Sequence, residues 1–211
     1  MALVTEIIAR VARELIDKNF TRWTEETHLT NLNDAISAIL IVRPDLGRTT
    51  KTDTVSAGVS KVTLPATAYK LLGVNCLNNY ALQFVDIYRL NNNYPDWRTR
   101  TAAQPLNWTR NDNDEFVFYV YPAPTADATI EYDYAEQIRV EATTDPFPLS
   151  PIYELMVFDY MMYRAYSKDG QNESEAAKAS AHFQAFQLAL TGKTQTDKNE
   201  SARIKASEAV R

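Results

Sequence analysis

Cysteine, histidine and glycine are scarce in this sequence, and each scarcity closes off a chemistry. Cys76 is the only cysteine among 211 residues, so no internal disulfide can form and no cysteine cage for zinc can be built. The two histidines, His28 and His182, leave little for acid–base or metal work. "EETH" places Glu25 three residues before His28, the spacing of carboxylate-bridged di-iron bundles. Such a site needs a second Glu-x-x-His, and Ala179 stands where its glutamate would be. His28 is therefore expected to be an exposed residue at a helix start, with no metal and no cofactor bound. Five glycines supply neither a Gly-x-Ser-x-Gly elbow nor a glycine-rich phosphate loop. No catalytic residue is assigned, and the chain is expected not to be an enzyme.

Long apolar runs are missing too. No window approaches the roughly 18 uninterrupted apolar residues of a membrane span. Near the N-terminus, Glu6, Arg10, Arg13 and Glu14 interrupt what would be the apolar core of a signal peptide. The expectation is a soluble, unexported protein with no membrane partner. Basic charge is also short: the formal net charge is −5 and the isoelectric point near 5.1, a poor balance for gripping phosphate backbones.

What is present is apolar material in helical register. Leu3 to Asp17 carries a wide stripe (Val4, Ile7, Ile8, Val11, Leu15), and Leu29, Leu32, Ile36 and Ile39 recur at 3, 4, 3 spacing behind a Thr24 cap. Pro44 disfavours helical geometry at Arg43 and closes this first helix pair. A second pair starts at Ser150 with Pro151 in the first helical position, breaks at Gly170 and restarts at Asn172. There Ala176, Ala179, Phe183, Phe186 and Leu190 form a heptad seam. Its first member, around "ELMVFDYMMYRAY", is apolar nearly all round and must be covered nearly all round. One partner helix covers one stripe and the first pair a second, so a neighbouring copy is expected to supply the remainder.

The middle of the chain reads as strand. "KVTLP" and "LLGVNCL" are short candidates, while "EFVFYVYP" and "TIEYDYA" are expected to pair as a hairpin. From Asp86 to Asp114 runs a long Asn-, Arg- and Trp-rich segment, expected as a loop. Its Tyr94, Trp97, Arg98, Arg100, Trp108 and Arg110 admit three readings: stacking on single-stranded nucleic acid, simple packing, or a protein interface. The fold class expected is α+β: a helical bundle of two helix pairs, N-terminal and C-terminal, with a small antiparallel β-rich insertion and a flexible C-terminal tail. In residue numbers this is a single domain over 1–190 (helices 2–43, insertion 48–140, helices 150–190) and an extension over 191–211. The extension carries a charge of +2 and residues 1–190 carry −7.

In this order, "WTEETHLTNLNDAISAILIVRPD", "KVTLPATAYKLLGV", "DIYRLNNNYPDWR", "FVFYVYPAP", "IEYDYAE" and "PIYELMVFDYMMYRAYSKDGQNESEAAKASAHFQAF" resemble the head-to-tail adaptor proteins of tailed bacteriophages. The resemblance covers roughly residues 20 to 190. It implies a structural protein of the virion neck, present in the host cytoplasm during assembly, that forms a ring of commonly twelve copies between the portal protein and a downstream tail or nozzle protein. Double-stranded DNA would pass through the channel without specific binding. The same resemblance maps portal contact onto the extension, through Lys193, Lys198, Arg203, Ile204, Lys205, Val210 and Arg211, and leaves Tyr94, Trp97, Arg98, Arg100, Trp108 and Arg110 for the subunit or tail interface. Two alternatives stand beside it: another tail-completion or tail-tube protein, and a small DNA-binding protein.

Overall fold

In the computed structural model, residues 3–168 and 172–208 are described, those beyond 202 by backbone alone. They form five helices: α1 (Val4–Glu14), α2 (Glu25–Val42), α3 (Ile87–Asn93), α4 (Glu154–Ser167) and α5 (Glu173–Glu208). The chain divides into two units, one drawn from Met1–Arg43 and Ile138–Arg211, the other from Pro44–Gln137. The first is helical and the second is built on strands.

Local chemistry sets the helix ends. The Thr24 hydroxyl accepts from the Thr27 amide (3.2 Å) at the start of α2, as its sequence position suggests. Between α1 and α2 the chain turns around the Asp17 carboxylate, which accepts backbone N–H groups from Thr21 (2.8 Å), Arg22 (2.9 Å) and Trp23 (2.9 Å). Those donors, Trp23 foremost, hold the Asp17 carboxyl below its ordinary range. Where the chain re-enters this unit, Asn33 of α2 exchanges a pair of hydrogen bonds with the backbone of Val140 (3.0 and 2.8 Å), and the Thr5 amide donates to the Thr143 carbonyl (2.9 Å).

Helix α4 is the centre of the helical unit. Met156, Val157, Phe158, Met161, Met162 and Ala165 are all buried, Met161 completely. Each side has an identifiable cover. Arg10 of α1 lies over the Phe158 ring at 4.3 Å, Asp34 of α2 pairs with Arg164 at 3.0 Å, and Phe183 and Phe186 of α5 meet Tyr163 and Tyr160 at 4.7 and 5.1 Å between centroids. The expectation that a neighbouring copy must complete this cover is thus corrected: one chain encloses the methionine cluster. What remains outside is Leu155, 53% exposed, and Ile152, 56% exposed, just before the helix.

The expected small antiparallel insertion is also corrected. The second unit contains ten strands in three sheets: β1 (Arg48–Val55), β2 (Lys61–Thr63), β3 (Ala68–Leu77), β4 (Tyr80–Ala81), β5 (Gln83–Phe84), β6 (Thr101–Ala102), β7 (Asn107–Arg110), β8 (Val117–Tyr121), β9 (Ala123–Pro124) and β10 (Ala128–Glu136). Their orders are β1-β10-β3-β4, β2-β8-β7-β5 and β6-β9, with β5–β7 and β6–β9 parallel. The expected hairpin does not form, because β8 and β10 lie in different sheets and meet face to face instead. Phe118 and Val120 share one core with Ile130 and Tyr132, and the Phe118 and Tyr132 rings stand 5.3 Å apart. Even the outer face of β10 is not fully wet, since Asp133 is buried where Thr50 donates to it (2.6 Å) and Arg48 pairs with it. Gly47, at the entry to β1, leaves room for the Glu136 carbonyl, which a β-carbon there would strike.

The expected flexible tail is helix as far as Glu208. Val210 lies outside the described residues, as does the break expected at Gly170.

His28 is buried and not exposed, against expectation. Neither ring nitrogen finds a hydrogen-bond partner, and the Phe20 ring meets it edge-on at 5.8 Å. Burial pushes its pKa down; the Asp17 carboxylate opposes that shift and the Lys168 ammonium adds to it. A histidine held neutral in the fold contributes full stability above its unfolded pKa of about 6.5 and loses it as pH falls below that value. The helical unit should therefore melt at lower temperature at pH 5.5 than at pH 7.5. One proton's linkage caps the slope at about 1.4 kcal/mol per pH unit. Replacing His28 with Leu should flatten this part of the curve, as thermal melts of both proteins at the two pH values would show.

Candidate interaction surfaces

The Asp86–Asp114 segment is not a loop. Asp86 caps α3, its carboxylate accepting from the amides of Tyr88 (2.8 Å) and Arg89 (3.1 Å). A single 3-10 turn (Trp97–Thr99) follows, and then β6 and β7. Short elements of this kind hold because a core sits beneath them: Ile87, Leu90, Trp97 and Tyr121 pack together, with Val85 and Tyr119 against them.

Four of the six residues singled out by type form one stack around that core. Trp97 is wholly buried, its indole N–H donating to the Asn91 side chain at 2.8 Å. Arg98 lies over the Trp97 ring at 4.4 Å. Arg100 donates to Asp96 at 3.0 Å and lies 4.9 Å from the exposed Tyr94 ring. The guanidinium holds the Asp96 carboxyl below its ordinary range. Trp108 belongs elsewhere: half-buried on β7, it meets Phe84 at 4.9 Å and Phe118 at 6.4 Å. Arg110, further along β7, sits opposite Phe118 in register.

Sequence reasoning missed the exposed apolar residues of this unit, including Phe84, Tyr88 and Leu106. The Gln83 amide donates to the Leu106 carbonyl (2.9 Å), which joins the two segments that carry Phe84 and Leu106 at the β5–β7 edge. Little in the local pattern marks them, since a two-residue strand, a seven-residue helix and the residue before a short strand are too brief to show a period.

Five of the seven C-terminal candidates, Lys193, Lys198, Arg203, Ile204 and Lys205, fall on α5. Its packed part runs through Ala179, Phe183, Phe186 and Leu190, while Ala176 of the expected seam is exposed. His182 Nδ1 stands 2.9 Å from Asp159 of α4. Beyond Leu190, Lys193 pairs with Asp197, and Asp197 also receives Arg43 from the end of α2 at 2.5 Å. Lys198 is exposed. Arg203, Ile204 and Lys205 fall on the described backbone of α5, and Arg211 lies outside the described residues. No trio of His, Cys, Asp or Glu among the described residues is placed to hold a metal ion. No helix among them is long and apolar enough to cross a membrane.

A family model described as SU10 adaptor protein matches residues 2–208. The chain belongs to the SU10 adaptor protein family. The match runs through both the helical and the β-rich unit. SU10 adaptors are structural phage proteins, components of the virion and not a class of enzyme. No curated protein matches the chain.

Within this adaptor, Trp97 is a core residue and Arg98 its cover. Trp97→Ala should cost about 3–5 kcal/mol in urea unfolding of the β-rich unit. Arg98→Ala, which removes an exposed cation–π contact, should cost about 0.5–1 kcal/mol.

Proposed function

We propose that this adaptor forms a ring in the virion neck, docked by its C-terminal arm (the part of α5 beyond Leu190 with the residues that follow) against the portal protein and presenting its other side to a tail or nozzle protein. The observation that carries the reading is the family match over residues 2–208. The physical features of the chain agree with it. A closed ring needs two different sticky patches on each copy. Leu155 with Ile152 on the helical unit, and Phe84 with Leu106 on the β-rich unit, are exposed apolar groups of the kind such contacts bury. The charge of −7 over residues 1–190 suits a channel through which a polyanion must slide, because neutralising phosphates would create affinity and affinity would slow transit.

The arm is the portal-side element in this reading. Its charge is +2, opposite in sign to the body, and its Lys193, Lys198, Arg203 and Lys205 lie on helix. A helix of 36 residues extends about 54 Å, enough to reach past the packed bundle onto a neighbour. A role in gripping DNA loses three of its six candidate residues: Trp97 is buried and cannot stack on bases, Arg98 lies over its ring, and Arg100 is paired with Asp96.

Deleting Thr191–Arg211 should leave a folded protein that no longer binds purified portal rings. Co-sedimentation checks binding and circular dichroism checks folding; undiminished binding would reject the arm as the docking element. Free subunits at low concentration should sediment as monomers and assemble when portal is added, and stable rings without portal would contradict templated assembly.

A further inference from the structure

Helix α5 is two helices in composition. Up to Leu190 it has an apolar seam; from Thr191 to Ala202 the run "TGKTQTDKNESA" has none. That stretch is also a weak helix former. Gly192 costs about 1 kcal/mol against alanine, and threonine, asparagine, serine and aspartate each lose several tenths. Three threonines turn their hydroxyls back onto the helix: Thr191 to the Gln187 carbonyl, Thr194 to Leu190 (2.7 Å) and Thr196 to Gly192 (3.0 Å), a habit that loosens helices more than it holds them. The i,i+4 ion pair Lys193–Asp197 has the cation on the N-terminal side, the less favourable order.

A side-chain contact ties this weak stretch to another element of the helical unit. The Arg43 guanidinium, at the C-terminal end of α2, reaches Asp197 at 2.5 Å. The Arg43 side chain is 12% exposed and that of Asp197 27%, well below the exposure of an ordinary surface pair, and one carboxylate serves two cations. Exposed pairs contribute little because water competes for both ions. Here that competition is reduced and the hydrogen bonds are charge-assisted. Lys193, then Arg43, hold the Asp197 carboxyl below its ordinary range.

We propose that the Asp197 carboxylate, gripped by Arg43 at the end of α2 and Lys193 of α5, is the latch that parks the arm beyond Leu190 on the helical unit, and that docking of the arm begins by opening it. The gating half of this proposal rests on the reading of the arm as the docking element; the latch itself does not. A partner that offers a cation to Asp197, or an acid to Arg43 and Lys193, would exchange one charge-assisted contact for another. The arm behind the latch, having no apolar seam, gives up little when it moves.

The latch is tested on the full-length free subunit by amide hydrogen exchange, comparing the native protein with Asp197→Asn and Arg43→Gln. Both substitutions should speed exchange over residues 191–202 by about tenfold, leaving 173–190 unchanged. Unchanged exchange over 191–202 would overturn the latch. So would an equal rise over 173–190, which would mean the whole unit had loosened. Gating is tested separately by the association rate with purified portal rings: Asp197→Asn should raise it, and an equal or lower rate would overturn gating. If the deletion of Thr191–Arg211 still binds portal, the docking reading fails while the exchange result stands on its own.

Discussion

The need to enclose helix α4 organises the helical unit. A helix with Met156, Val157, Met161, Met162 and Ala165 distributed around most of its circumference cannot rest against one neighbour. It takes α1, α2 and α5 together, and these come from both ends of the chain with the whole of Pro44–Gln137 between them. The N-terminal pair therefore has no complete core until the C-terminal pair arrives, and the contacts that bring the segments together have large sequence separation. The polar fastenings at the return make the same point in hydrogen bonds. Asn33 with Val140, and Thr5 with Thr143, join residues more than a hundred positions apart, so the two halves close as one helical unit, while the β-rich unit carries a core of its own.

How much of this the sequence revealed depends on which force made each element. The helices were legible because burial of one stripe leaves a period in the sequence, and Thr24 and Pro151 mark starts by local chemistry. Strand β1 left no such trace. "RTTKTDTV" has one buried apolar residue, Val55, and only its four threonines hinted at extended backbone. Strands β8 and β10 were both visible, but their partners were not. Being adjacent in sequence made a hairpin the natural guess, yet β8 needs β2 and β7 beside it and β10 needs β1 and β3. Sheet membership is decided by which faces must meet in the core, and single-strand patterning does not contain that.

The candidate surfaces were legible to a similar depth. Choosing Tyr94, Trp97, Arg98 and Arg100 by residue type found residues that do associate, though they satisfy one another. Tryptophan beside arginine is the composition of an interface and also of a small self-contained core, and only burial separates the two. The exposed Phe84, Tyr88 and Leu106 went unnoticed for the converse reason. An apolar residue in a short element is expected to point inward, and exposure is a property of the assembled fold. Family membership came from the ordered set of packing patterns along the chain, none of which is chemical.

The continuation of α5 past Leu190 shows where composition and context part. Judged alone, "TGKTQTDKNE" lacks the apolar content to fold, and an isolated peptide of that sequence would have to pay for helix nucleation. Attached to a packed helix it needs only propagation, one backbone hydrogen bond for each residue fixed, and that step is near balance even for poor formers. Near balance, a single side-chain contact decides the outcome, and Asp197 between Arg43 and Lys193 supplies one. A segment poised in this way keeps its helical geometry ready for a partner and holds it with little free energy, a property that a long apolar seam continued to the end of the chain would have removed.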